Sequence, residues 1–173
     1  GQEGTAGVIS HLVSRPYTVP LSDLKYKTEV LEIPAGIGRI PFEVEFLPLL
    51  HSDPCLGYRV KVDDRVITFC TDTGYCENAV KLGRDADLLI TECAFLPGQE
   101  NKEWPHLNPE TAARIALESG AKKLVLTHFD AARYLDLNTR RDAEKTARGV
   151  FSDSVAAEDL MDIEIPPSAG RRG

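Results

Sequence analysis

Three short apolar segments, each rich in aliphatic or β-branched residues, lead into a residue that binds metal ions well. The segment 66–71 leads to Asp72, 44–50 leads to His51, and 123–127 leads to His128. Segments of this length and composition are typical of strands, and a strand holds the residue after it rigidly at the edge of a sheet. Imidazole nitrogen and carboxylate oxygen are ligands of zinc and similar ions. Each residue alone more often has an ordinary hydrogen-bonding role, but together the three predict a metal site.

Length and composition limit the classes of protein that this chain can belong to. The 173 residues, 42% of them hydrophobic and 27% charged, predict a single globular domain over residues 1–173. A net charge of −7 argues against an extended nucleic-acid surface. Apolar runs stay well short of the roughly 20 residues of a membrane span, and residues 1–7 lack the charged start of a signal peptide. These features predict a cytoplasmic protein with no membrane partner.

The four cysteines do not have the spacing of a structural zinc site. Cys55, Cys70, Cys76 and Cys93 form no paired C-x-x-C motifs. Cys70 and Cys93 lie in or beside apolar strand segments, where a cysteine is more often a small core residue than a nucleophile. A reduced, cytosolic state is the simplest interpretation.

The order of predicted elements favours an α/β fold, because strands and hairpins come first and strands alternate with helices later. Such a chain forms a sheet with helices on its outer face. The tail at 166–173 is polar and is predicted to be disordered. The predicted helices are 4–13, 76–82, 109–119 and 139–150, and the predicted strands are 29–33, 40–50, 57–62, 65–69, 88–91, 124–127, 155–157 and 163–165.

Several motifs, taken in order, resemble a known family. They are TDTG at 71–74, LLITEC at 88–93, HLNPETAA at 106–113 and LVLTHF at 124–129. Over about residues 40–165 the chain resembles the metallo-β-lactamase superfamily, and within it the phosphodiesterase branch that includes ribonuclease Z. The resemblance implies an αββα sandwich of which this chain is the C-terminal half.

The resemblance also implies roles for five residues. His51 would bind a first metal ion, Asp72 would bridge two ions, and His128 would bind the second. His106 would lie near the scissile phosphate and donate a proton, although it could equally be a surface histidine at a helix start. Glu92 would orient a ligand or His106 through a hydrogen bond, or it is simply a strand-end carboxylate in a salt bridge.

The chain departs from the family pattern in two places. The main ligand motif, H-x-H-x-D-H, is absent, because His11 is the only histidine before His51 and has no neighbouring His or Asp. The complete protein is therefore expected to hold two zinc ions, or manganese or iron, while this chain alone binds metal weakly and is inactive. The missing half could be cleaved, disordered, on a separate chain or absent. The 21 positions from His51 to Asp72 also leave no room for the tRNA-gripping arm of ribonuclease Z.

Hydrolysis of a phosphodiester by a metal-bound hydroxide is the function that the resemblance implies. Two alternatives stay open. One is hydrolysis of another ester, such as a thioester or lactone, and the other is a non-catalytic half-fold that serves as an interaction module. The expected partner is the ester substrate, and a homodimer is an open expectation.

Overall fold

The structure is a computed structural model that describes residues 1–34 and 37–166. The polar tail therefore lies outside the described residues, except for Pro166. The chain divides into two compact units, residues 1–41 and 42–173. A single domain over residues 1–173 stays a prediction.

The first unit is mostly irregular. Helix α1 spans Thr5–Leu12, which confirms the predicted helix, and 3₁₀ turns occupy Leu21–Asp23 and Ile37–Arg39. The strand predicted at 29–33 is wrong. Its backbone bonds to the chain start instead of to a strand: the Ile33 N–H donates to the Gly1 carbonyl, and the Gly1 amine donates to the Leu31 carbonyl.

The second unit is built on a six-stranded sheet whose spatial order follows the chain, β1 to β6. Strands β1 to β3 pair antiparallel and β3 to β6 pair parallel. This change of direction matches the change from hairpin to helical connections, since a parallel crossover needs a longer link. The predicted α/β class is confirmed. The strands are β1 Glu43–Pro48, β2 Leu56–Val62, β3 Arg65–Cys70, β4 Leu88–Glu92, β5 Leu124–Thr127 and β6 Ser154–Ala156.

Three further helices pack on one face of this sheet: α2 Glu77–Gly83, α3 Pro109–Ser119 and α4 Leu137–Arg148. Helix α3 begins as predicted, with Asn108 as its cap and Pro109 in its first turn, and Gly120 ends it in the left-handed region. The strand predicted at 163–165 is wrong, because the Ile165 carbonyl accepts from the Arg65 side chain and not from a neighbouring strand.

The core between sheet and helices contains both cysteines that the sequence assigns to it. Cys70 and Cys93 are fully buried and belong to the apolar cluster with Leu89, Leu124 and Ile115. Burial raises the pKa of each thiol to about 12, so both are protonated at neutral pH. Their assignment to the core is confirmed.

The opposite face of the sheet is also apolar. Phe46, Tyr58, Phe69, Ile90 and Val125 stand next to one another across five strands. Phe69 is 43% exposed. Sheets with parallel strands normally have both faces covered. This face is the one that a second sheet would cover in an αββα sandwich.

The helices found in the described residues all fall short of what a membrane crossing requires in length and apolar character.

Candidate metal centre

The predicted ligands lie at one edge of the sheet because three strands run in the same direction. His128 follows β5 directly, Asp72 lies two residues after β3, and His51 lies three residues after β1. Strand β1 is antiparallel to β2, which is antiparallel to β3, so β1 and β3 end at the same edge. The topology thus explains why three sites far apart in sequence meet.

Four side chains gather at this edge. His128 Nε2 lies 3.3 Å from Asp72 Oδ1, and each of the two side chains is a little under half exposed. The ring centre of His106 lies 5.6 Å from that of His51 and 6.3 Å from that of His128. The structure therefore brings together all three predicted ligands and the predicted proton donor.

Two of the predicted ligands have an unusual backbone. Asp72 has φ of 55° and His128 has φ of 50°, both in the left-handed region. Residues other than glycine rarely adopt this region, and such positions cluster at functional sites because the surrounding structure must hold them there. Here the turn aims each side chain back across the edge of the sheet, where the two meet.

Glu92, at the end of β4, connects the loops of the site. Its side chain is fully buried. It accepts a hydrogen bond from His106 Nδ1 at 2.8 Å, from the Leu107 N–H at 3.4 Å, and from the Thr73 N–H. The geometry agrees with both sequence interpretations, because the buried strand-end carboxylate pairs with His106 and thereby holds its ring.

Thr73 and Gly74 join the loop of Asp72 to the loop of His51. Thr73 Oγ1 accepts from the Leu50 N–H at 3.2 Å, and the Gly74 N–H donates to the Leu50 carbonyl at 2.8 Å. A Cβ at Gly74 would lie 2.8 Å from the Pro105 Cβ, beside His106. Glycine is needed here because three loops approach one another closely.

Burial shifts the pKa of both members of the Glu92–His106 pair toward the neutral form. It raises the pKa of Glu92 to about 7, against the opposing hydrogen bond from the Thr73 N–H and the charge of His128. Burial, followed by the charge of His51, lowers the pKa of His106. The pair therefore favours a single proton between Nδ1 and the carboxylate near neutral pH.

The donor set fits a metal of the zinc type in chemistry but is small in number. His51, Asp72 and His128 offer imidazole nitrogen and carboxylate oxygen, the donors such ions take. Within the described residues, no three His, Cys, Asp or Glu side chains are placed so that they could hold a metal ion. The residues present can supply part of a coordination shell, and a complete shell needs further donors.

Trp104 is a residue of the site that sequence reasoning missed. Its ring centre lies 6.2 Å from that of His51 and 5.9 Å from that of His106. The available signals were that it is the only tryptophan and that it lies two residues before His106. Thr73 was missed as well, although it lies between Asp72 and Gly74 in the TDTG motif.

His106 also lines a cleft of about 270 Å³, together with Leu50, Tyr75, Lys102 and Pro105. The cleft is open to solvent and combines apolar walls with the charged side chains of Lys102 and Glu100. It offers room for an organic group next to the histidine that the site holds in place.

Comparison with known proteins gives consistent matches. The sequence model of the β-lactamase superfamily domain matches residues 4–129. The chain is 34% identical over 109 residues to the probable metallo-hydrolase YhfI of Bacillus subtilis, covering 63% of this chain and 44% of that protein. It is 41% identical over 106 residues to ribonuclease Z of Nostoc punctiforme, covering 59% of this chain and 33% of the relative.

Solved structures agree. The crystal structure of YhfI matches with a TM-score of 0.58 at 30% identity, over 67% of this chain and 45% of that one. Human tRNase Z, short form, matches with a TM-score of 0.54 at 32% identity, over 73% of this chain and 43% of that one. The chain thus spans between a third and just under half of the length of the relatives that it matches.

Proposed function

We propose, from the premise that this chain belongs to the metallo-β-lactamase superfamily and to its ribonuclease Z-like branch, that the complete protein is a metal-dependent phosphodiesterase. The observation that carries the proposal is the meeting of Asp72, His128, His51 and His106 at one sheet edge, with Glu92 buried behind His106. The relatives whose names state a ribonuclease activity support a phosphodiester as the substrate.

His51, Asp72 and His128 would hold the metal, and the family resemblance assigns Asp72 to both ions. A zinc-type ion in this position supplies Lewis acidity and activates water. The remaining ligands would come from polypeptide outside this sequence, which the short donor set requires.

His106 is suited to deliver a proton to the leaving oxygen. Glu92 occupies Nδ1, so Nε2 is the only ring nitrogen left for a substrate. The low exposure of the His106 side chain, 9%, limits competition from water. Glu92 fixes the ring orientation, and its carboxylate would stabilise the imidazolium that forms when His106 takes up a second proton at Nε2, the proton that it then passes to the leaving oxygen.

The test is hydrolysis of bis(p-nitrophenyl) phosphate by the complete protein, with the upstream half restored. Asp72→Ala should abolish metal-dependent turnover. His106→Ala should lower turnover by about 10²–10⁴-fold while the metal content stays close to wild type. Full activity in His106→Ala would reject its role as proton donor, and loss of metal in that variant would make it a ligand.

Two other functions remain as alternatives. Hydrolysis of a thioester or lactone would use the same metal centre, and a substrate panel that shows turnover of those esters but not of phosphodiesters would favour it. The incomplete donor set among the described residues favours the second alternative, a non-catalytic half-fold. Absence of both metal and turnover in the complete protein would support that reading.

A further inference from the structure

Trp104 is an exposed aromatic ring at the edge of the candidate site. The residue is 54% exposed, yet its ring contacts His51 and His106. Single exposed apolar residues are common on protein surfaces and need no explanation. Trp104 differs because its exposed surface adjoins the two histidines on which the proposed chemistry depends.

The backbone around Trp104 is held in place while the ring stays open to solvent. Asn101 Oδ1 accepts hydrogen bonds from the N–H groups of Glu103 and Trp104, at 2.9 and 3.2 Å. Pro105 follows and lies so close to Gly74 that a Cβ added to that glycine would be 2.8 Å from the Pro105 Cβ. An aromatic surface with a fixed backbone loses little conformational entropy when a ligand stacks on it.

We propose that Trp104 stacks against a planar ring of the substrate and makes the site prefer phosphodiesters that carry a nucleobase or a similar flat group next to the phosphate. This inference rests on the proposed function, because it places the phosphate at the His51 and His106 side of the indole. Stacking on an aromatic side chain tolerates any base, since every base has a π face. The preference would therefore be for a flat ring and not for one base sequence.

The single tryptophan makes binding directly measurable. Because the chain contains only Trp104, intrinsic tryptophan fluorescence reports on this position alone. We would titrate the 173-residue chain, with excess zinc kept in the buffer because this chain holds the ion weakly, with adenosine 5′-monophosphate and with ribose 5-phosphate, which has the same phosphate and sugar but no base. Saturable quenching by the nucleotide and none by the sugar phosphate is expected. Failure of the nucleotide to bind would overturn the proposal.

Two matched variants separate stacking from positioning, with affinities measured by calorimetry. In Trp104→Leu the ratio of the affinity for the nucleotide to that for the sugar phosphate should fall by a factor of about 5 to 100. This is the range that the loss of one stacked base gives. Trp104→Phe keeps an aromatic face and should retain most of the preference. An equal loss of affinity for both ligands in Trp104→Leu would show that the indole only positions the histidines, which would overturn the proposal. Unchanged affinities for both ligands would overturn it as well.

The outcomes distinguish this inference from the proposed function. Phosphodiester turnover by the complete protein combined with base-independent binding would reject the role of Trp104 alone. Base-dependent binding without any turnover would reject the phosphodiesterase and leave a nucleotide-binding site.

Discussion

At the scale of single residues, Glu92 has the largest effect on how the site is assembled. It is buried, and it accepts hydrogen bonds from His106 and from the backbone that follows Asp72. A buried acceptor that serves several donors cannot be removed without leaving those donors unpaired. Glu92 therefore holds His106 and the loop that follows Asp72 in place.

Glu92→Ala should lower the free energy of unfolding by about 1–3 kcal/mol, because the Thr73 N–H and His106 Nδ1 lose their acceptor in a buried place. Glu92→Gln keeps an acceptor oxygen and should cost less. Urea denaturation followed by circular dichroism measures both. Glu77→Gln, at a helix surface position, is the control and should not differ from wild type. A Glu92→Ala protein as stable as the control would contradict the claim that the hydrogen bonds of Glu92 stabilise the folded state.

Gly74→Ala tests the close approach of the loops. The added methyl group would meet the Pro105 Cβ at 2.8 Å, and a proline ring cannot rotate away. We expect a loss of about 1–3 kcal/mol in unfolding free energy. Gly38→Ala is the control, since nothing lies within 4 Å of its Cβ position and it is outside the α-helices, where alanine would add helix propensity. Equal stability of the two variants would mean that the loops have room to separate.

At the scale of elements, Asp87 links the starts of three strands. Asp87 Oδ2 accepts from the Val66 N–H at 2.8 Å and Oδ1 accepts from Lys122 Nζ at 2.5 Å. Burial on its own would raise the pKa of Asp87, but these hydrogen bonds outweigh it and hold the pKa below the usual value of 3.8. The folded state thus favours the charged carboxylate.

The lowered pKa of Asp87 predicts a pH dependence of stability. A folded-state pKa below the unfolded value gives stability that is present above about pH 4 and is lost as the pH falls through the folded pKa. Asp87→Asn should therefore be less stable than wild type at pH 7, and the difference should shrink as the pH falls through the folded pKa. Urea midpoints at a series of pH values measure this. A constant difference between the two proteins would show that the carboxylate charge does not contribute.

Most elements of the second unit follow from periodicity and end signals. Helix α3 is predicted with its observed bounds because Asn108, Pro109 and Gly120 mark its ends, and β5 because three of its four residues are apolar. The predictions at 29–33 and 163–165 failed because a short segment that contains several apolar residues is not a strand unless a neighbouring strand is available to pair with it. That information lies in the tertiary structure and not in the local sequence.

The positions of the three candidate ligands at one sheet edge could be predicted, and those of the residues that support them less so. The types of His51, Asp72 and His128 and their places after strands pointed to one edge. Thr73 acts through its backbone N–H and hydroxyl, and Trp104 through the loop that Asn101 holds. Such contacts depend on how loops meet, and no spacing rule in the sequence shows them.

At the scale of the whole molecule, two observations support the proposal that further polypeptide completes this fold. The sheet face that carries Phe46, Tyr58, Phe69 and Ile90 is apolar, and Phe69 on it is exposed to solvent. Sheets with parallel strands normally have both faces covered, so this face is suited to a second layer. The donor set at the sheet edge is likewise too small for two metal ions. A second layer that also carries ligands would account for both.

The measurement that tests this account most directly is the tightly bound metal content of two proteins after gel filtration, determined by elemental analysis. The 173-residue chain alone should retain little or no zinc, because a site with too few ligands competes poorly with water and buffer. The complete protein should retain two ions, and Asp72→Ala should remove them. Two tightly held ions in the 173-residue chain would contradict the account, since its own residues would then suffice.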